Sequence, residues 1–293
     1  MRALYGNYSG SLYQVTRASD HATKDIGLSS TGGFADAAAQ DAFCSGTTCT
    51  ITTIYDQSPK GNHLRPAPAG GAKNTADSPA SATALKVTIG GHSVYGVHIP
   101  AGTGYRNDTT SGIATGDQPE TEYMVTSGTN YNGGCCFDYG NAETNNMDDG
   151  AGTMEAVYFG NCTYWGKGSG SGPWVMADLE NGLFGGQSFT ADPTNTPLTS
   201  AYVTAMVKGR SGTFGLKGGN AQSGTLTSMY DGPRPSGGYN PMKKQGAIIL
   251  GIGGDNSNGA QGDFFEGVMT AGDASSTNDD AVQANIVAAG YGH

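Results

Sequence analysis

"PWVMADLENGLF", residues 173–184, repeats with a period of two: Trp174, Met176, Asp178 and Glu180 share one face of a strand, and Val175, Ala177 and Leu179 share the other. One face suits a core. The other carries two acids beside a large aromatic. Runs of the same alternating or β-branched character recur at 11–18, 49–58, 84–99, 120–127, 154–160, 201–209, 246–254 and 263–270, with Gly, Asn, Asp and Pro between them. Gly90-Gly91 separates two such runs and reads as a hairpin turn, because glycine accepts positive φ without strain. The rhythm predicts an all-β sandwich or jelly roll. Helices are expected only at 34–43 and 277–290, the latter with Val282, Ile286 and Ala289 on one face behind a Thr277/Asp280 capping pattern. There is no internal repeat and no break in composition, so residues 1–293 read as one domain, with "KGSGSGP" (167–173) as a loop inside it.

Composition narrows the partners. The 293 residues include 49 glycines and only 14% charged residues, the profile of a loop-rich secreted β protein. A formal charge of −10 repels nucleic acid and anionic membrane surfaces, so a neutral or cationic partner is expected. No apolar run approaches the ~20 residues of a membrane span, and no signal peptide is visible; "MRALYGNYSG" enters strand-like sequence so abruptly that a leader is expected to have been removed. Asn7, Asn107 and Asn161 head Asn-X-Ser/Thr sequons and are glycosylation candidates. Cys44 and Cys49, in "CSGTTC", read as a short disulfide loop, since a metal site would need further Cys or His at ligand spacing. Five scattered His with no HExxH, and no P-loop, nucleophile elbow or dinucleotide fingerprint, give no support for zinc, nucleotide or serine-hydrolase chemistry. No metal or cofactor is expected.

Carboxylates remain. Asp178 and Glu180 share the Trp174 face, and Asp255 follows the apolar run "AIILGIGG" (247–254) where the chain opens into a Gly/Asn loop. The competing readings are a solvated strand face for the pair and an Asx-turn for Asp255. Two carboxyls of different environment suit glycoside hydrolysis, in which one protonates the leaving oxygen and the other attacks or stabilises the anomeric carbon.

Five stretches together carry a resemblance: "TIYDQSPKGNHL" (53–64), "GTGYRN" (102–107), "CCFDYGNAET" (135–144), "GPWVMADLENGLF" (172–184) and "YNPMKKQGAIILGIGGDNSNGAQGDFFEGVM" (239–269). The chain resembles, over nearly its whole length, the catalytic domain of the α-L-arabinofuranosidases of glycoside hydrolase family 54. The resemblance implies a concanavalin-like β-sandwich that removes terminal α-L-arabinofuranosyl groups from arabinan and arabinoxylan with retention; a secreted chain is expected from composition, and a monomer is the expected state. It implies Glu180 as nucleophile and Asp255 as acid/base, with Trp165, Asp178, Asn181 and Gly254 lining the arabinose pocket. It also implies that Cys135 and Cys136 form a vicinal disulfide packed against the sugar, a rigid apolar knob with little rotamer freedom to lose on binding. The β-trefoil arabinose-binding module and the cysteine-bearing leading segment usual in the family are not expected in this chain. Cys162 is the odd thiol, either a buried free cysteine or a competitor of the Cys135-Cys136 pair. The rival reading is a non-catalytic, lectin-like sandwich for plant polysaccharide, which would share the strands and the aromatic-acid face but have no need of Asp255.

Overall fold

A computed structural model describes residues 1–293. Two antiparallel sheets dominate. The first has seven strands in the order Leu183–Phe184, Trp174–Asp178, Glu155–Gly160, Asp138–Ala142, Ala247–Leu250, Tyr105–Asn107, Arg65–Pro66. The second has six: Thr227–Pro233, Thr213–Asn220, Val203–Arg210, Glu120–Thr126, Gly262–Ala271, Val97–Ile99. A three-stranded sheet of Thr23–Ile26, Tyr13–Arg17 and Cys49–Ile54 and a hairpin of Lys86–Ile89 with His92–Tyr95 complete the main elements. Gly90 and Gly91 turn that hairpin at φ 57° and 76°, the left-handed pair that such a turn demands.

The period of two at 174–179 decides where the sheets meet. Val175, Ala177 and Leu179 join Val157, Phe159, Val203, Ala205, Val207, Phe214 and Leu216 in one apolar cluster, so this face fills the space between the sheets. Trp174 and Met176 point the other way, into a smaller cluster with Tyr158, Cys136, Cys162 and Leu183. The seven-stranded sheet is thus buried on both faces. Its outer face lies under loops, and those loops hold the acids.

Two helices occur, Ala37–Phe43 and Ser276–Ala289. The second buries Ile286 and Ala289, with Val282 packed at the core's edge, but its cap is Ser275, whose side chain accepts from the Asn278 backbone N–H, rather than the Thr277/Asp280 pair expected from the sequence. The stretch 167–173 is also less plain than a loop, since Lys167–Gly168 pairs in parallel with Ala191–Asp192. No helix is long and apolar enough to cross a membrane. A cavity of about 630 Å³ lies between the chain start, the Gly262–Ala271 strand and the last helix, lined by Leu4, Tyr55, Ile113, Phe265 and Val282. Its buried acid Glu266 is held by Arg2 and by the Tyr291 hydroxyl.

Candidate active site

Asp178 ends its strand on the outer face at only 6% exposure, and the next residues turn back into the Leu183–Phe184 strand. At the tip of that hairpin Glu180 and Asn181 both adopt positive φ, 62° and 56°, without being glycine. Such a backbone costs about 1–2 kcal/mol per residue and persists only where surrounding contacts enforce it. Here the Glu180 N–H donates to Asp178 Oδ1 at 3.1 Å, and the Asn181 carbonyl accepts from the Tyr239 hydroxyl at 3.0 Å. The result carries Glu180 inward, 7% exposed, while Asn181 stays exposed and donates through Nδ2 to Asp148. Neither acid belongs to a solvated face.

The loop after Ala247–Leu250 folds back across the same face. Asn256 and Asn258 both donate to Asp77 Oδ1, and Arg106 donates to the Gly254 carbonyl at 2.6 Å and to the Glu143 carbonyl. These buried anchors fix the backbone on either side of Asp255, which remains half-exposed. Asp255 does form the Asx-turn weighed from the sequence, its Oδ1 accepting from the Ser257 N–H at 3.0 Å, and its carbonyl accepts from the Ala72 N–H. Turn and site coincide, because one oxygen secures the loop while the carboxyl lies close enough for its charge to be felt at Asp178 and Glu180.

Gly254 is the point of closest approach. A Cβ there would lie 2.0 Å from Glu143 Oε2 and 2.9 Å from Glu180 Oε2, so both carboxyls crowd onto its bare Cα. Cys135 and Cys136 are joined as a disulfide, with both sulfurs and an Asp178 oxygen within 4.8 Å of one another. Bonded sulfurs are not thiolates, so this trio is a wall rather than a metal-ligand set. Cys136 donates its backbone N–H to the Ser257 carbonyl, which ties the sulfur pair to the Asp255 loop. Trp165 is half-buried against the cluster of Cys136, Tyr158 and Leu183. Cys162 is a buried free thiol in that cluster.

Two further acids complete the group. Asp138 is fully buried with no donor on either oxygen, and Glu143 receives the Thr153 hydroxyl on one oxygen while the other has no donor. A second carboxyl can satisfy such an oxygen only if one member of the pair is protonated. Asp138 faces Asp178 in this way and Glu143 faces Glu180. Burial raises all four pKa values, with like charge adding to it at Asp138, Asp178 and Glu180; Asp178 is pushed up to about 7, and Glu180 is raised further under the fields of Asp178, Glu143, Asp148 and Asp255. The cluster therefore keeps protons where isolated carboxyls would have lost them.

The remaining candidates lie elsewhere. Cys44 and Cys49 form a disulfide that closes the turn between the first helix and the Cys49–Ile54 strand. Asn7 is exposed and Asn161 half-buried, while Asn107 already donates its Nδ2 to the His63 carbonyl at 3.0 Å, a bond that a glycan on that nitrogen would have to displace.

With the geometry in place, comparison with known proteins decides the family. The family described as "Alpha-L-arabinofuranosidase B, catalytic" matches residues 1–292. The chain belongs to this family. It is 58% identical to an α-L-arabinofuranosidase B of Aspergillus oryzae and 58% identical to an arabinofuranosidase/B-xylosidase of Trichoderma koningii, each over 99% of this chain. It spans 58% and 59% of the lengths of those two relatives. Two solved arabinofuranosidases superpose at TM-score 0.97 and 54% identity over 99% of this chain and 61% of theirs. One is a family 54 mutant soaked with 4-nitrophenyl α-L-arabinofuranoside, the other a complex with arabinofuranosyl-α-1,2-xylobiose. Within the family frame, Asp138, Glu143 and Arg106 are the site residues that sequence reasoning passed over. The available signal was charge inside otherwise uncharged strand sequence, "FDYGNAE" and "GYRN".

Proposed function

We propose that this chain is a retaining, exo-acting α-L-arabinofuranosidase that releases terminal L-arabinofuranosyl residues from arabinan, arabinoxylan and related hemicellulose. The observation that carries the proposal is Glu180, held inward by a left-handed backbone at a hairpin tip and facing the loop that presents Asp255. A pure binding module has no use for a strained, buried carboxyl opposed by a half-exposed one.

In the first half-reaction Glu180 attacks the anomeric carbon as the glycosidic C–O bond breaks, and the Asp255 proton passes to the departing oxygen. In the second, Asp255 takes a proton from water, whose oxygen attacks the same carbon and displaces Glu180. The steps as written use only carboxyl groups and water. Glu143 shares a proton with Glu180 and must carry it when Glu180 attacks, while Asp138 holds the proton it shares with Asp178. Asp178 and Asn181 bond the sugar hydroxyls, the Gly254 backbone gives the sugar close approach, and the Cys135-Cys136 knob with Trp165 forms the apolar wall. A site enclosed by a hairpin tip and a folded-back loop admits a chain end or side branch, hence exo action. The family's fungal relatives, the two disulfides and the exposed Asn7 sequon support a secreted, glycosylated protein.

The test is the initial rate on 4-nitrophenyl α-L-arabinofuranoside for the parent chain and Glu180→Gln, with melting curves for both. An active parent and a folded variant that has lost several orders of magnitude are expected. An inactive parent, or a variant that matches it, would overturn the proposal and favour the carbohydrate-binding reading.

A further inference from the structure

Most of the apolar surface of this chain is covered; four large apolar side chains are exposed: Tyr5 at 50%, Met147 at 48%, Tyr164 at 83% and Phe189 at 51%. Three of the four stand around the mouth of the candidate site. Tyr164 is set edge-on to Trp165, with ring centroids 4.8 Å apart. Phe189 stacks on Phe184 at 4.9 Å, and a Cβ on Gly182 would lie 2.9 Å from its ring, so it sits over the hairpin tip that carries Glu180 and Asn181. Met147 lies in the segment that packs on Gly70-Gly71, and Gly70 in turn contacts the Asp255 carbonyl. The Tyr164 and Phe189 segments adjoin, because the Gly166 Cα rests on the Leu183 carbonyl.

We infer that Tyr164 and Phe189 form an aglycone platform on which the neutral pyranose backbone bearing the arabinosyl branch stacks, with Met147 as the opposite lip. The inference rests on the arabinofuranosidase reading and extends it outward from the pocket. The chemistry is selective. A pyranose presents axial C–H groups on its face to the negative face of an aromatic ring, and Tyr gives that contact rigidly at little entropic cost. Singly scattered apolar side chains are ordinary on a surface, whereas apolar groups gathered at one mouth mark a binding surface. A neutral sugar backbone is also a partner that a chain of charge −10 does not repel. A solved relative holds arabinofuranosyl-α-1,2-xylobiose, a ligand of the required kind. The aromatic nearest the pocket, Trp165, meets the arabinose itself, whereas Tyr164 is too exposed to do so and is left for what lies beyond.

The experiment compares two substrates that differ only beyond the scissile bond: methyl α-L-arabinofuranoside, which has no aglycone ring, and arabinofuranosyl-α-1,2-xylobiose. Arabinose release is followed for the parent, Tyr164→Ala, Tyr164→Phe, and Tyr164→Ala combined with Phe189→Ala. Tyr164→Ala should lower kcat/KM on the xylobioside about tenfold, equivalent to about 1.4 kcal/mol, and leave the methyl glycoside within about twofold. Tyr164→Phe should restore the parent value and the double variant should lose more. An equal loss on both substrates would mean that Tyr164 acts through Trp165 or the fold, and no loss on either would mean that the aglycone lies elsewhere; both outcomes overturn the inference. A parent inactive on both substrates would instead bring down the arabinofuranosidase reading on which it rests.

Discussion

One added methyl group tests the crowding at the centre of the site. A Cβ at Gly254 would lie 2.0 Å from Glu143 Oε2 and 2.9 Å from Glu180 Oε2, while ordinary van der Waals contact begins at 3.4 Å. In Gly254→Ala the Glu143 oxygen must therefore retreat by roughly 1.4 Å and the Glu180 oxygen by roughly 0.5 Å, unless the loop lifts instead. Lifting is resisted, since Arg106 holds the Gly254 carbonyl and Asp77 holds the two asparagines beyond it. Misplacing a reacting group by about 1 Å costs on the order of 100-fold in rate, and overpacking a buried site costs about 1–3 kcal/mol of stability. The expectation is a protein still folded at assay temperature whose kcat/KM on 4-nitrophenyl α-L-arabinofuranoside has fallen between about 10-fold and 100-fold. Steady-state kinetics beside a thermal melt provide the readout. A Gly254→Ala protein within about threefold of the parent would show that Glu143 and Glu180 are not held against this residue, and the carboxyl-pair argument would fail.

Two further expectations concern protons. Glu143 raises the Glu180 carboxyl by like charge, and both Glu143→Gln and Glu143→Ala remove that charge, so the acidic limb of the kcat/KM profile should move to lower pH in both variants, further in the glutamine variant, which offers a donor to the charged form. A limb that stays with the parent's in both variants would remove Glu143 from the mechanism. Glu122, fully buried between the sheets, has its pKa raised well above the ordinary 4.5 by burial and by Glu120 and Glu155. A raised folded pKa means stability that is complete below about pH 4.5 and lost as the pH climbs toward the folded value, by about 1.4 kcal/mol per pH unit for one such group. Glu122→Gln should therefore match the parent's melting temperature near pH 4 and exceed it near pH 8, and a parent that gains on the variant as the pH rises would contradict the assignment.

The legible part of this protein was its alternation. At 174–179 the period of two separated an inter-sheet face from a site face, and the runs at 120–127, 154–160 and 201–209 all became strands. Thr213–Asn220 escaped notice because "TFGLKGGN" has three glycines where side chains would show a period; its pairing with Val203–Arg210 is a tertiary fact. Asp138–Ala142 was hidden for the opposite reason, since a strand buried on both faces with Asp and Asn in it follows no apolar pattern. Glu180 and Asp255 could be singled out as carboxyls, but not their settings. The inward turn of Glu180 depends on Tyr239, 59 residues away in sequence, and the placement of the Asp255 loop depends on Asp77 and Arg106 in other strands and loops. Glu143 was marked locally only by its charge, because its meaning comes from a bare Cα that sits beside it only after the loop has folded back.

The most direct measurement is a mass spectrum of the chain after brief reaction with a slow-turnover arabinofuranosyl substrate in the Asp255→Gly background, where the second step lacks its base. The account predicts a covalent adduct of one anhydro-pentose, mapped after proteolysis to Glu180. An adduct on another residue, or turnover with no adduct and inversion at the anomeric carbon, would contradict it.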